Sequence, residues 1–222
     1  MKQTPAHDFH NPDLLSLMPE TSSKIIEVGC SSGALAKAFK QKNSNCQYIG
    51  IEIDSDYIEL AKRYCDKCLN LDIENVDDDF YLNNSDCDCW VFGDTLEHLR
   101  DPWKVLKKIR DNIQLNGKVV ACIPNAQHWS LQVKLSIGDF RYEDQGLLDK
   151  THLRWFTRQT IIEMFEQVGF KIEAGQPRIF DEPNRDLFLP LIEKLADRAG
   201  VDSKVAIQDA LPRQYVIRAI AN

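Results

Sequence analysis

The stretch that most restricts this chain is Lys24–Gly33, which reads KIIEVGCSSG. Ile25, Ile26 and Val28 form a short apolar run rich in β-branched residues. That composition belongs to a strand buried on both faces of a parallel sheet. Gly29 and Gly33 then punctuate a turn, and Ala34 to Lys40 has helical composition. Glycines suit a turn where a bound ligand and the next helix come so near the backbone that a Cβ would clash. The helix begins with unpaired N–H groups at the positive end of its dipole, so the turn suits an anionic or polar ligand. Glu27 puts an acid at the end of a buried strand, where only a functional or capping role makes its burial tolerable. An ordinary ligand-free strand-to-helix turn uses the same residue types, so this stretch by itself leaves both readings open.

A chain of 222 residues suffices for one α/β domain with a full core and a small appendage. Its 27 basic and 34 acidic residues give a formal charge of −7. That balance argues against a general nucleic-acid or anionic-membrane binder and leaves room for a local basic patch. No apolar run reaches membrane-spanning length, and the N-terminal MKQTPAHDFHNP lacks the apolar core of a signal peptide. Cytoplasmic residence is the expectation. The seven cysteines, an odd number without a secretion signal, point to reduced thiols. Cys65-x-x-Cys68 and Cys87-x-Cys89 have metal-like spacing. The strand order expected below separates the two pairs by three steps, roughly 14 Å at ~4.8 Å per step. Zinc needs its ligands within roughly 2.3 Å. The cysteines therefore read as small buried hydrophobes, and no metal site is expected.

Along the chain, Pro12–Pro19 reads as a short core-facing helix, Lys24–Val28 as strand one and about Gly33–Gln41 as a helix. Cys46–Ile53 alternates and reads as strand two, ending in Glu52 and Asp54. An acid roughly 20 residues past a glycine turn is placed to accept hydrogen bonds from ribose hydroxyls. Asp54 has the alternative role of capping a helix over Ser55–Tyr64. Leu69–Ile73 reads as strand three, Asp77–Asp79 as a solvated loop and Cys87–Gly93 as strand four. Asp101-Pro102 opens a helix over Trp103–Asn112. The loop before it leaves the carboxyl end of strand four, where ligands sit in open α/β sheets. Gly117–Pro124 is strand five. Residues 125–150 lack regular periodicity and hold several aromatics, which suits a lid or substrate loop better than disorder. Thr157 caps a helix over Arg158–Val168. Phe170–Glu173 starts strand six and Arg213–Ala221 is strand seven. Helical runs at Arg185–Arg198 and Val201–Ala210 lie between them, so 181–210 reads as an insert within a single domain spanning 1–222.

Glu27, Gly29, Ser31 and Gly33 are spaced acid-x-Gly-x-Ser-x-Gly, not as the dinucleotide pattern G-x-G-x-x-G. The spacing resembles the first motif of the class I S-adenosylmethionine-dependent methyltransferases, with Ser31 in place of the middle glycine. Two further strings, GDTLEHLRDP from Gly93 and DKTHLRWFT from Asp149, resemble motifs in one large branch of that family. The resemblance implies a Rossmann-like seven-stranded sheet in the order 3-2-1-4-5-7-6, with strand seven antiparallel and helices on both faces. It implies S-adenosyl-L-methionine as the cofactor, leaving as S-adenosyl-L-homocysteine. The implied lining is Glu27, Gly29, Cys30, Ser31 and Gly33 at the first turn, Glu52 on the ribose with Ile53 beside it, and Gly93, Asp94 and Thr95 after strand four. Asp72 and Ile73 would bracket the adenine, although a loop aspartate beside a core isoleucine is the plainer reading of that pair.

Methyl transfer from a sulfonium is an in-line displacement with a good leaving group, so the protein mainly supplies alignment. A hydroxyl acceptor also needs a base, because its proton leaves as the oxygen attacks. His98 and His152 are the candidates, since an unperturbed histidine titrates near ~6.5. Each serves equally well as a helix cap or loop organiser. Trp129, Phe140, Tyr142, Trp155 and Phe156 form either the acceptor pocket or the core of a lid. The branch is similar to methyltransferases found with surface-polysaccharide and glycosyl-transfer systems, which makes a sugar or glycan hydroxyl the first acceptor. A quinone or phenolic ring is second. The reading from another class is a cofactor-binding module without catalysis; a nicotinamide oxidoreductase is disfavoured by the missing G-x-G-x-x-G. A monomer or homodimer is expected, acting on a small molecule or glycan, with no nucleic acid and no membrane span.

Overall fold

Side chains along the central strands alternate between two apolar layers, and that alternation sets the architecture. The computed structural model describes residues 8–221; residues 1–7, which carry most of the N-terminal reading, and residue 222 lie outside the described residues. The strands are β1 (Lys24–Val28), β2 (Gln47–Glu52), β3 (Lys67–Asn70), β4 (Cys89–Gly93), β5 (Lys118–Pro124), β6 (Phe170–Arg178) and β7 (Gln214–Ala221). They form one seven-stranded sheet in the order β3-β2-β1-β4-β5-β7-β6. β1 to β5 pair in parallel, and β7 runs antiparallel to both β5 and β6. The order and the antiparallel strand are those the resemblance implies.

One layer takes Ile26, Val28, Trp90, Phe92, Val119, Ala121 and Ile123 from the sheet. The opposite layer takes Ile25, Tyr48, Cys89, Val91, Val120 and Cys122. Helices α1 (Pro12–Leu17), α2 (Ala34–Lys42) and α3 (Ser55–Ala61) cover the second layer through Leu14, Phe39 and Ile58. Helices α4 (Asp78–Leu82), α5 (Pro102–Asn112) and α7 (Arg158–Gln167) cover the first through Tyr81, Leu106 and Phe165. A sheet buried on both faces needs continuous apolar strands, as β1, β4 and β5 show. Truncating a side chain such as Trp90 or Phe92 to alanine costs about 3–5 kcal/mol.

Several local expectations are corrected. Strand three lies at Lys67–Asn70, earlier than the expected Leu69–Ile73. As an edge strand it buries its residues only partly, whereas Ile73 is buried beyond its end. Asp77–Asp79 is not loop: the Asp77 carboxylate accepts from Phe80 N at 3.0 Å and caps α4. The helix after Asp54 stops at Ala61 and not at Tyr64. Residues 125–150 are not irregular throughout, because α6 (Trp129–Ser136) lies within them. Trp129 packs toward the insert, while Leu131, two residues on, packs against Leu147 and Leu148. A short helix buried on two sides shows no single 3.6-residue stripe.

Between β6 and β7 stand α8 (Arg185–Ala199) and α9 (Ser203–Ala210), where a helical insert is expected. The insert packs on α6 through Trp129, Phe188, Ile192 and Ala210. Trp129 and Phe188 stack with centroids 5.7 Å apart. Asn125, at the end of β5, donates from Nδ2 to Asp209 O and Pro212 O, both at 2.8 Å, and so ties the insert to the sheet.

Candidate functional site

The carboxyl ends of β1, β2 and β4 are stitched together by backbone hydrogen bonds. Gly29 N and Cys30 N both donate to Ile51 O, at 2.9 and 3.0 Å. Gly29 holds φ +75°, and a Cβ there would stand 2.6 Å from Thr95 Oγ1. Gly33, at φ +78°, caps α2 and lies so near α3 that a Cβ would meet Ala61 Cα at 3.1 Å. Both glycines are thus required by conformation and by close approach. Ser31 also sits in the left-handed region, at φ +47°. A glycine would adopt that geometry freely; serine holds it at a cost of roughly 1–2 kcal/mol.

Glu52 is buried, and its carboxylate organises the turn. Oε2 accepts from Ser31 N at 2.9 Å; Oε1 accepts from Ile53 N at 2.8 Å and Asp54 N at 3.1 Å. A carboxylate offers about four acceptor positions, so about one remains for a ligand. Asp54 caps α3 through Asp56 N and Tyr57 N. Ile53 is 58% exposed beside Glu52, on the open side of the strand end. Glu27 is buried and accepts from Tyr48 Oη at 2.9 Å. Burial, with Cys65 nearby, pushes its carboxyl well above the usual range. Cys30 is buried against Cys65; that thiol partner and burial hold the Cys30 thiol far above its ordinary range. Asp72 accepts from Glu74 N at 2.9 Å and Asn75 Nδ2 at 2.8 Å, and so closes the turn after β3. Ile73 faces the core beside Tyr81, whose Oη donates to Ile73 O at 3.1 Å.

After β4 the chain passes Gly93, Asp94 and Thr95 and enters a 3-10 turn, Leu96–His98. Thr95 Oγ1 donates to Val28 O at 2.9 Å, which fastens this loop to the glycine turn. Asp94, at φ +52°, accepts from Gln214 Nε2 and, at 3.4 Å, from Cys122 Sγ. Burial raises its carboxyl above the ordinary range.

Segment 149–154 folds onto the same turn: Leu153 N and Arg154 N donate to Glu97 O at 2.8 and 3.0 Å. This brings together the two candidate histidines, which stand far apart in sequence. The rings of His98 and His152 meet edge to face with centroids 4.8 Å apart. Burial, then the neighbouring His98, lowers the pKa of His152 from 6.5. His98 Nδ1 lies 3.2 Å from Thr151 O and 3.1 Å from Thr151 Oγ1. A carbonyl only accepts, so Nδ1 carries the proton and Nε2 presents a lone pair. Thr151 Oγ1 in turn donates to Asp149 Oδ1 at 2.6 Å.

Glu97 received no role from the sequence, although its place immediately before His98 was a signal. It is 1% exposed, and neither carboxylate oxygen has a hydrogen-bond partner. His152 Nε2 stands 3.9 Å from Glu97 Oε1, too far for a hydrogen bond. Burial, reinforced by Asp94, drives the Glu97 carboxyl well above its ordinary range. Of the five candidate aromatics, Phe156 belongs to the main core and Trp129 to the insert's core. Phe140, Tyr142 and Trp155 remain exposed, and Phe140 touches the other two with centroids 6.0 Å apart.

A family profile described as a methyltransferase domain matches residues 6–174. Proteins of two Leptospira interrogans strains, each called an uncharacterized RNA methyltransferase, are 36% identical over 167 residues. That match takes in 71% of this chain, which spans only 37% of those relatives' length. Among solved structures, a possible histamine N-methyltransferase from Thermotoga maritima aligns at a TM-score of 0.63 and 15% identity, over 95% of this chain and 86% of that one. A Methanosarcina mazei S-adenosylmethionine-dependent methyltransferase aligns at 0.63 and 13%, over 95% and 97%. Magnesium protoporphyrin IX methyltransferase from Synechocystis, with bound S-adenosylhomocysteine, aligns at 0.57 and 11%, over 89% and 74%. At such identities these structures speak for the fold. No helix among the described residues is long and apolar enough to cross a membrane.

Proposed function

The chain belongs to the class I S-adenosylmethionine-dependent methyltransferases, and from that premise we propose that it moves the cofactor's methyl group to a sugar hydroxyl, a glycan first. The observation that carries the proposal is the meeting of His98 and His152, centroids 4.8 Å apart, on the loop that Thr95 fastens to the glycine turn. A hydroxyl nucleophile needs its proton taken up as it attacks, and nitrogen and sulfur acceptors need this less. In this reading Gly29, Cys30, Ser31 and Gly33 cradle the methionine end. Glu52 uses its remaining acceptor position on the ribose. Ile53 and Asp72 serve the adenine side, with Ile73 in the core behind them and not on the ligand, and Gly93, Asp94 and Thr95 close the rim. Glu27 acts through Tyr48 and supports the turn from below. Exposed Phe140 and Tyr142 in 125–150, which acts as the acceptor loop, supply faces for a sugar ring together with Trp155 just beyond it. The insert at 181–210 steadies that loop through α6, inside a single domain.

The relatives' name supports a second reading, an RNA acceptor, whose ribose hydroxyl poses the same proton problem. The formal charge of −7 favours the glycan. Quinones and phenols come after both. Transfer of labelled methyl groups to panels of nucleotide sugars, oligosaccharides, RNA oligonucleotides and catechols tests the assignment. Labelled sugar is the expected result, with a loss of ~100-fold or more in His98→Ala or His152→Ala at unchanged cofactor affinity. Tight S-adenosylhomocysteine binding with no transfer to any panel would instead support a non-catalytic module.

A further inference from the structure

Glu97, His98 and His152 each offer one donor atom, and the three atoms lie within 4.8 Å of one another. Tetrahedral ligands at about 2.0–2.2 Å from an ion stand about 3.3–3.6 Å apart. A closure of about 1 Å, within side-chain reach, would complete such a triad. Three features mark it as a site and not a chance cluster. Glu97 is 1% exposed with both oxygens unpartnered, and His152 is 7% exposed with Nδ1 unpartnered. Buried polar groups are seldom left so, and two buried carboxyl oxygens without a donor are what a cation would satisfy. No lysine or arginine pairs with Glu97 among the described residues. The Thr151 carbonyl fixes the His98 tautomer that leaves a lone pair on Nε2, and Asp149 orients Thr151. Orientation of a histidine ligand by an outer carbonyl or carboxylate is how metal sites are usually held.

We propose that Glu97, His98 and His152 bind one divalent first-row transition cation, zinc first, with a coordination position left for the acceptor hydroxyl. Two imidazoles and one carboxylate are the donor set of open zinc sites, while magnesium and calcium prefer oxygen alone. His98 is only partly buried and leaves an approach to the open position. The catalytic consequence rests on the reading under Proposed function; the site itself does not. A coordinated hydroxyl is more acidic, so its proton passes to solvent. The oxygen's electron pair then forms the O–CH3 bond, and the S–CH3 pair stays on sulfur, which becomes neutral. With the metal bound, the two histidines serve catalysis as ligands, in place of the base role they have without it.

The test uses the whole chain stripped with a chelator and titrated with zinc by calorimetry and with cobalt(II) by visible absorption. One equivalent of metal is expected, with cobalt bands free of a thiolate charge-transfer band. Glu97→Gln and His152→Ala should bind at least ~10-fold more weakly, and Cys68→Ser should match the parent. Glu97→Gln conserves volume, and unchanged melting of the stripped variants guards against misfolding. Absence of saturable binding, a thiolate band, or an affinity equal to the parent's in Glu97→Gln and His152→Ala overturns the site. Full transfer to sugar in excess chelator overturns its catalytic use and leaves the histidine-base reading standing. Metal binding without methylation of any sugar overturns the acceptor assignment alone.

Discussion

Replacing Gly29 by alanine probes the joint between the glycine turn and the loop after β4. Two costs follow from the geometry. Alanine at φ +75° pays roughly 1–2 kcal/mol for a left-handed conformation. The new Cβ would also sit 2.6 Å from Thr95 Oγ1 and 3.2 Å from Thr95 Cγ2, an overpacking worth ~1–3 kcal/mol. Gly29→Ala should therefore destabilise by ~2–5 kcal/mol. Thr95→Ala loses the hydrogen bond to Val28 O, at 2.9 Å, and should cost ~1–2 kcal/mol. In the double variant the clash disappears, since the remaining neighbour, Thr95 Cβ, is at an ordinary 3.5 Å. The pair should then be less damaging than the sum of the singles by ~1–3 kcal/mol. Thr95→Ser retains Oγ1 and should rescue little. Urea unfolding of all four proteins, with m-values compared, closes the cycle. Additivity within ~0.5 kcal/mol would refute the claim that the contact, rather than backbone strain alone, makes Gly29 obligatory.

Glu52→Ala removes the acceptor shared by Ser31 N, Ile53 N and Asp54 N. S-adenosylhomocysteine affinity should fall by ~1–3 kcal/mol, and an unchanged calorimetric affinity would dismiss the ribose role. His128 is buried, and burial lowers its pKa from 6.5 to about 4 despite Glu182 at 3.0 Å, which opposes the shift. The unfolded chain therefore binds the proton more readily. Stability from neutral His128 is complete above pH 6.5 and drains away as the pH falls toward 4. Between pH 7.5 and 5 the parent should lose on the order of 2 kcal/mol more than His128→Gln. Parallel pH curves for the two proteins in urea unfolding would end that assignment.

Much of the fold was legible because its causes are local. The apolar runs of β1, β4 and β5 announce burial on both faces. Asp54, Asp101 and Thr157 cap helices at the positions their residue types predict. α6 leaves no periodic signal in the sequence because its two buried sides belong to two different clusters, and β3 lies earlier than its residues suggest because an edge strand carries a weak apolar signal. In the candidate site, Gly29 and Gly33 were readable from spacing. The reason Gly29 must be glycine was not, since it lies in Thr95, 66 positions further along. The sequence gives the glutamate before His98 no role, because an acid on a loop is ordinarily solvated and nothing in its neighbours says that water is excluded.

By itself the sequence determined the strand–helix alternation, the positive-φ turn and the acid that ends β2, because periodicity, backbone freedom and capping act over a few residues. Only the tertiary structure decided that segment 149–154 folds back onto the turn after β4. That contact, made across 53 positions by His98 and Thr151, sets His152 against an unpaired Glu97. Such meetings depend on burial and on loop closure, which no short stretch of chain encodes.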